Sequence, residues 1–142
     1  MYKMDAKIEK KMLALLVAVT LCMVLIAMPF SASAAGTITE TMGGYTCRAN
    51  LTKGTNSLNR AYATATTSFG TYANAIMATV VLRWAGGYYD EWTYPAVEDY
   101  REMDTYASAT ATTSYTGSVA VGANGWHEIG FRDLGWHPST SI

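Results

Sequence analysis

Between Arg60 and Trp84 the side chains keep a period of two, and no other feature constrains the fold of this chain as much. Residues 60–69 set Ala61, Ala63, Ala65, Thr67 and Phe69 on one face and Tyr62, Thr64, Thr66 and Ser68 on the other. Ala75 to Trp84 repeats the habit, with Ile76, Ala78, Val80, Leu82 and Trp84 against Met77, Thr79, Val81 and Arg83. Successive side chains of a strand point to opposite faces of a sheet, so this is strand periodicity. The second run is the most apolar one after the N-terminal segment. It is expected to be a central strand, paired with the first across a connection at Gly70-Thr71-Tyr72-Ala73-Asn74.

The rest of the C-terminal part follows the same style. Ala63-Thr64-Ala65-Thr66-Thr67-Ser68-Phe69 returns as Ala109-Thr110-Ala111-Thr112-Thr113-Ser114-Tyr115, 46 residues later. A duplicated hairpin and a chance match of low-complexity strands both fit. Ser118 to Val121 reads as a short strand, Gly122-Ala123-Asn124-Gly125 as a turn, and Trp126 to Phe131 alternates again. Residues 35–59 are rich in Gly, Thr and Asn and are expected to be irregular, with a short strand around Tyr45 to Ala49. About six short strands between Gly-rich turns predict an all-β fold, a small antiparallel β-sandwich or open barrel.

The N-terminal segment bears on location. Lys3, Lys7, Lys10 and Lys11 precede Met12 to Phe30, which is apolar apart from Thr20, and Ser31-Ala32-Ser33-Ala34-Ala35 follows. A basic stretch, an apolar stretch and small residues are the three parts of a signal peptide. The lysines and the long apolar run resemble the export signals of Gram-positive bacteria. Pro29 ends the helix and leaves the next residues extended for a peptidase. The expected organisation is a signal peptide over 1–34 and a single secreted β domain over 35–142. The rival is an uncleaved anchor, since Met12 to Phe30 is long enough to span about 30 Å of hydrocarbon with the domain outside. A lipid anchor on Cys22 does not fit, because Val19-Thr20-Leu21 lacks the small residues such a signal has.

Charge and cysteine content exclude several classes. Residues 35–142 carry six basic and nine acidic side chains, with no cluster of Lys and Arg to displace counterions from a phosphate backbone. No nucleic acid partner is expected, and membrane contact only through the N-terminal segment. Cys47 is the one cysteine after residue 34. No disulfide can form within the domain, and a small buried apolar role is the simplest reading.

One segment breaks the strand pattern. Residues 90–104 hold six of the nine acids of the domain. Pro95 suits the first turn of a short helix capped by Thr93, with Glu98 and Asp99 near its positive end and Val97, Tyr100 and Met103 on one face. This acidic and aromatic insertion, one short helix or loop between strands, is the expected place for function.

Candidate chemistry is sparse. His127 and His137 with Glu128 and Asp133 offer zinc-ligand types, but two histidines ten apart match no established spacing. Calcium loops place oxygens at alternating positions around a required Gly, a pattern that Glu98, Asp99, Glu102 and Asp104 lack. No Gly-x-Ser-x-Gly elbow is present, and Cys47 has no local histidine partner. No cofactor and no catalytic residue are assigned. The aromatic run is more suggestive. Tyr88, Tyr89, Trp92 and Tyr94 beside Asp90 and Glu91 combine flat apolar faces with hydrogen-bond acceptors, which is what sugar recognition needs. Trp84, in phase with Ile76 to Leu82, belongs to the core. The leading expectation is a secreted, non-catalytic module that binds a cell-wall glycan or a surface protein. The alternatives are a small bacteriocin-like or toxin-like effector and, behind it, a small hydrolase.

Overall fold

The computed structural model describes residues 34–87 and 89–142. Residues 1–33, which hold all but the last residue of the expected signal peptide, and Tyr88 lie outside the described residues. Eight strands, all paired antiparallel, form one sheet curled into a half-barrel: β1 (Ala34–Met42), β2 (Tyr45–Thr55), β3 (Ala61–Gly86), β4 (Tyr89–Thr93), β5 (Val97–Thr112), β6 (Val119–Phe131), β7 (Leu134–Trp136) and β8 (Ser139–Ser141). The all-β, open-barrel expectation holds.

The organising element is β3, a continuous strand of 26 residues. The expected hairpin at Gly70 to Asn74 is absent, and the chain turns a corner there instead. On one edge β5 follows β3 along both halves, from Tyr62↔Thr112 to Val80↔Val97. On the other edge β2 pairs as far as Phe69, and β6 takes over from Ala75. At the hand-over the register with β5 jumps from Ser68↔Tyr106 to Ala73↔Asp104. Extra residues on one strand bend it and increase its twist, which is how strands turn corners between layers. On β5 the corner is marked by Met103, whose φ of 50° is left-handed. The Asn74 side chain accepts the Arg132 amide at 2.9 Å and ties the end of β6 to the corner.

The bend explains the burial pattern. Inward residues are Ala61, Ala63, Ala65, Thr67 and Phe69 before the corner, and Ile76, Ala78, Val80, Leu82 and Trp84 after it. Both faces chosen by alternation are therefore buried, but they face each other as two layers and are not paired side by side. Ala65 and Gly125 show how close the layers come: a Cβ built on Gly125 would stand 3.4 Å from that of Ala65. Phe69, Phe131 and Tyr45 fill the corner, with ring centroids 5.1 to 5.7 Å apart in edge-to-face geometry. A straight strand of this length would span about 85 Å. Here both ends of β3 reach one serine: the Ala61 amide donates to Ser118 Oγ at 2.9 Å, and a Cβ on Gly86 would lie 2.8 Å from Ser118 Cα. Gly86, at φ 149°, is the residue that permits this approach.

Three further expectations are corrected. Residues 90–104 hold no helix: β4 runs to Thr93 and β5 starts at Val97. The cap and the acids offered a short helix little, whereas the open edge of β3 offered a full ladder, and Pro95 leaves its predecessor extended. Val97 consequently packs against the core, while Tyr100 and Met103 are exposed. Residues 35–59 are largely strand, because β1 and β2 pair from Ala34↔Lys53 to Met42↔Tyr45. Gly122 to Gly125 lies inside β6, not in a turn. Its glycines make room: a Cβ on Gly122 would collide with the Arg83 guanidinium, and one on Gly125 would stand 2.6 Å from Thr140 Oγ1. The repeated Ala-Thr segments turn out to be neighbours, Ala63↔Ala111 and Ala65↔Ala109, with Thr64 and Thr110 hydroxyls 2.9 Å apart.

Candidate functional site

The aromatic residues gather where the ends of β3 meet. Trp84 and Trp92 are cross-strand partners on β3 and β4, so their rings share a face. The ladder continues one residue past β4, with the Tyr94 amide donating to the Leu82 carbonyl at 2.8 Å. Opposite them, the connection from β5 to β6 places Tyr115 on Trp84, centroids 5.2 Å apart and planes at 23°. That connection is fixed by hydroxyls. Ser118 Oγ accepts from the Ala61 amide and donates to the Tyr115 carbonyl at 2.7 Å, and Thr113 Oγ1 lies 2.6 Å from it.

Between these walls is an open pocket of about 150 Å³ lined by Trp84, Trp92, Tyr94, Pro95, Thr113, Ser114 and Tyr115. Trp84 is only 3 % exposed and forms the floor, whereas Trp92 and Tyr115 are 54 % and 48 % exposed and stand as walls. Pockets that bury a whole drug-sized ligand run to roughly 300–1,000 Å³. At about 150 Å³ this one has room for a single ring.

Of the residues singled out in the sequence, Trp92 and Tyr94 line the pocket. Asp90 and Glu91 are exposed and are not among its lining. Strand alternation puts Glu91 on the face away from Trp92, where it pairs with Arg83 at 3.1 Å. The lining holds no carboxylate; Ser114 is its exposed hydroxyl residue, whereas Thr113 is buried with its hydroxyl bonded to Ser118 Oγ. The backbone of Tyr89 belongs to β4. Trp84 serves both core and pocket. Thr113, Ser114 and Tyr115 were missed, although the aromatic end of the second Ala-Thr segment was visible.

His127 and His137 play different parts. His127, 2 % exposed, sits between the layers with Nδ1 2.9 Å from Thr67 Oγ1 and Nε2 2.9 Å from Thr140 Oγ1. Thr67 Oγ1 donates to the Met77 carbonyl at 2.6 Å, so it accepts from His127 Nδ1–H, and Nε2 accepts from Thr140. The imidazole is thus a neutral tautomer with both nitrogens occupied. Burial holds its pKa down at about 4, the nearby Thr66 backbone opposing the shift only in part. His137 is exposed beside Glu128, 3.9 Å away. Among the described residues no three His, Cys, Asp or Glu side chains group to hold a metal ion. Cys47 is buried, and burial pushes its thiol pKa up.

The acids of residues 90–104 are spread along the strands. Asp99 accepts from Arg101 Nε at 2.7 Å and from the Ser108 amide at 2.8 Å, and these two bonds hold its carboxyl below the usual range. Asp104 accepts from the Thr105 amide at 2.6 Å. No protein-family model, curated protein or solved structure matches this chain. The class defined by the fold is a single-sheet antiparallel half-barrel with an aromatic pocket at its seam.

Proposed function

We propose that this protein is a secreted, non-catalytic module that holds one ring of a cell-wall or surface glycan in the pocket of Trp92 and Tyr115. One observation carries the reading: two half-exposed aromatic side chains stand as walls over a third, with the exposed Ser114 beside them. Aromatic faces pack on the C–H faces of sugars, and hydroxyls take the equatorial hydrogen bonds. The rings sit on paired strands and on a connection tied by Ser118, so little ordering is left for binding to impose.

The test is retention on insoluble peptidoglycan or polysaccharide. Wild type is expected to be retained and a folded Trp92→Ala to be released. Loss of folding in Trp92→Ala would mean that the ring is structural, and the proposed site would fall. An effector would use the same exposed rings against a membrane or receptor. Inhibition of neighbouring bacteria by the purified protein, without retention on any glycan, would favour that class.

A further inference from the structure

A second site lies on the outer face of the first layer, on residues unconnected with the aromatic pocket. In the register of the sheet, Arg48, Ser68 and Tyr106 form one row across β2, β3 and β5, and Thr37, Asn50, Thr66 and Ser108 form the next across β1, β2, β3 and β5. Small side chains at Ser68 and Thr66 lie between long ones at Arg48 and Tyr106. The result is an open trough of about 410 Å³ lined by Thr37, Arg48, Asn50, Thr66, Ser68 and Tyr106.

The chemistry of the trough is one-sided. Arg48 is exposed, and among the described residues no carboxylate forms an ion pair with it. The Asn50 carbonyl oxygen accepts from the Thr37 hydroxyl at 2.7 Å, so the amide NH₂ is the end that Asn50 offers as a donor. Ser68 and Thr66 supply hydroxyls on the floor. Tyr106, 49 % exposed, gives an aromatic face on the wall opposite Arg48. A ligand that fits has an anionic group for Arg48, hydroxyls for the floor, and a flat C–H face for Tyr106. A guanidinium binds carboxylate through two parallel hydrogen bonds, which a neutral sugar cannot supply.

We infer that this trough binds the carboxylate-bearing ring of an acidic polysaccharide, a hexuronate, with Arg48 on the carboxylate and Tyr106 against the ring. The inference holds whether or not the aromatic pocket takes a glycan. The experiment is an amide NMR titration of the protein with tetragalacturonate, and with maltotetraose as the neutral control. Tetragalacturonate is expected to shift the Ser68, Thr66 and Asn50 amides, with binding that weakens as salt is added. Arg48→Gln should weaken binding about tenfold or more, the usual worth of a charge-assisted pair, and Tyr106→Ser should weaken it less. Trp92→Ala should leave these shifts unchanged, which separates this site from the aromatic pocket. Equal shifts with maltotetraose, or undiminished tetragalacturonate binding by a folded Arg48→Gln, would overturn the inference.

Discussion

The two halves of β3 are one strand made in two ways. Before the corner, the inward side chains are mainly alanine, and the outward ones are Tyr62, Thr64, Thr66 and Ser68. After it, Ile76, Val80, Leu82 and Trp84 point inward. The contrast follows from what each half faces. The alanine half lies under β6, where Gly125 brings the backbone close and leaves room for little more than a methyl group. The second half carries the larger share of the apolar area and so of the hydrophobic stabilisation. One half determines how near the layers come, and the other holds them together.

The comparison can be broken most severely at Thr79, flanked by Glu98 on β5 and Trp126 on β6. Thr79→Pro should cost several kcal/mol by removing a ladder hydrogen bond and forcing φ, and urea melts should show no stable native baseline. Tolerance would mean that the second half is not central. Next, Leu82→Ala should cost about 2–5 kcal/mol, because a fully buried side chain leaves a cavity. Ala65→Leu should cost about 1–3 kcal/mol for the opposite reason, overpacking against Gly125. Equal tolerance of added volume in both halves would remove the distinction.

The junction between the halves is titratable. Thr67, Met77 and His127 bind the alanine half to the second half and to β6. The folded imidazole has a pKa of about 4, below that of the unfolded chain, about 6.5. The unfolded state therefore takes up a proton first. Stability is fully present above about pH 6.5 and is lost as pH falls towards about 4, by about 3 kcal/mol in total. Urea midpoints across that range should show the slope, and a folded His127→Gln should flatten it. Smallest in stability is Trp92→Ala, expected to cost about 1 kcal/mol, the worth of a cross-strand aromatic pair, with its larger effect on glycan retention.

Most strands were legible because alternation is local: the parity of Ala61 to Phe69 and of Ile76 to Trp84 already names the buried faces. The corner was not. Gly70 to Asn74 has turn-forming residues, and only the hand-over from β2 to β6, set by distant chain, makes it a bulge. Gly122 and Gly125 misled in the same way, since glycine serves close approach as well as turns. Residues 90–104 showed caps and acids, while the edge they pair with was invisible. At the aromatic pocket, Trp92 and Tyr94 were readable as ring-rich sequence, but Tyr115 and the floor role of Trp84 depend on the closure at Ser118. The Arg48 and Tyr106 trough joins strands far apart in the chain, and no local pattern announces it.

The closure at Ser118 also has a consequence in time. A chain made from its N-terminus at about 5–20 residues per second presents β2 to β3 at once, but β5, β6 and Ser118 come later. Until they arrive, the stretch from Ala75 to Val81 has no strand on either edge, since the short β4 reaches only the end of β3, and this stretch is among the most apolar of the domain. Bare apolar edges recruit other chains. The aggregation hazard is therefore expected to be greatest in the nascent chain, and to fall once β5 and β6 cover β3 and its two ends meet at Ser118.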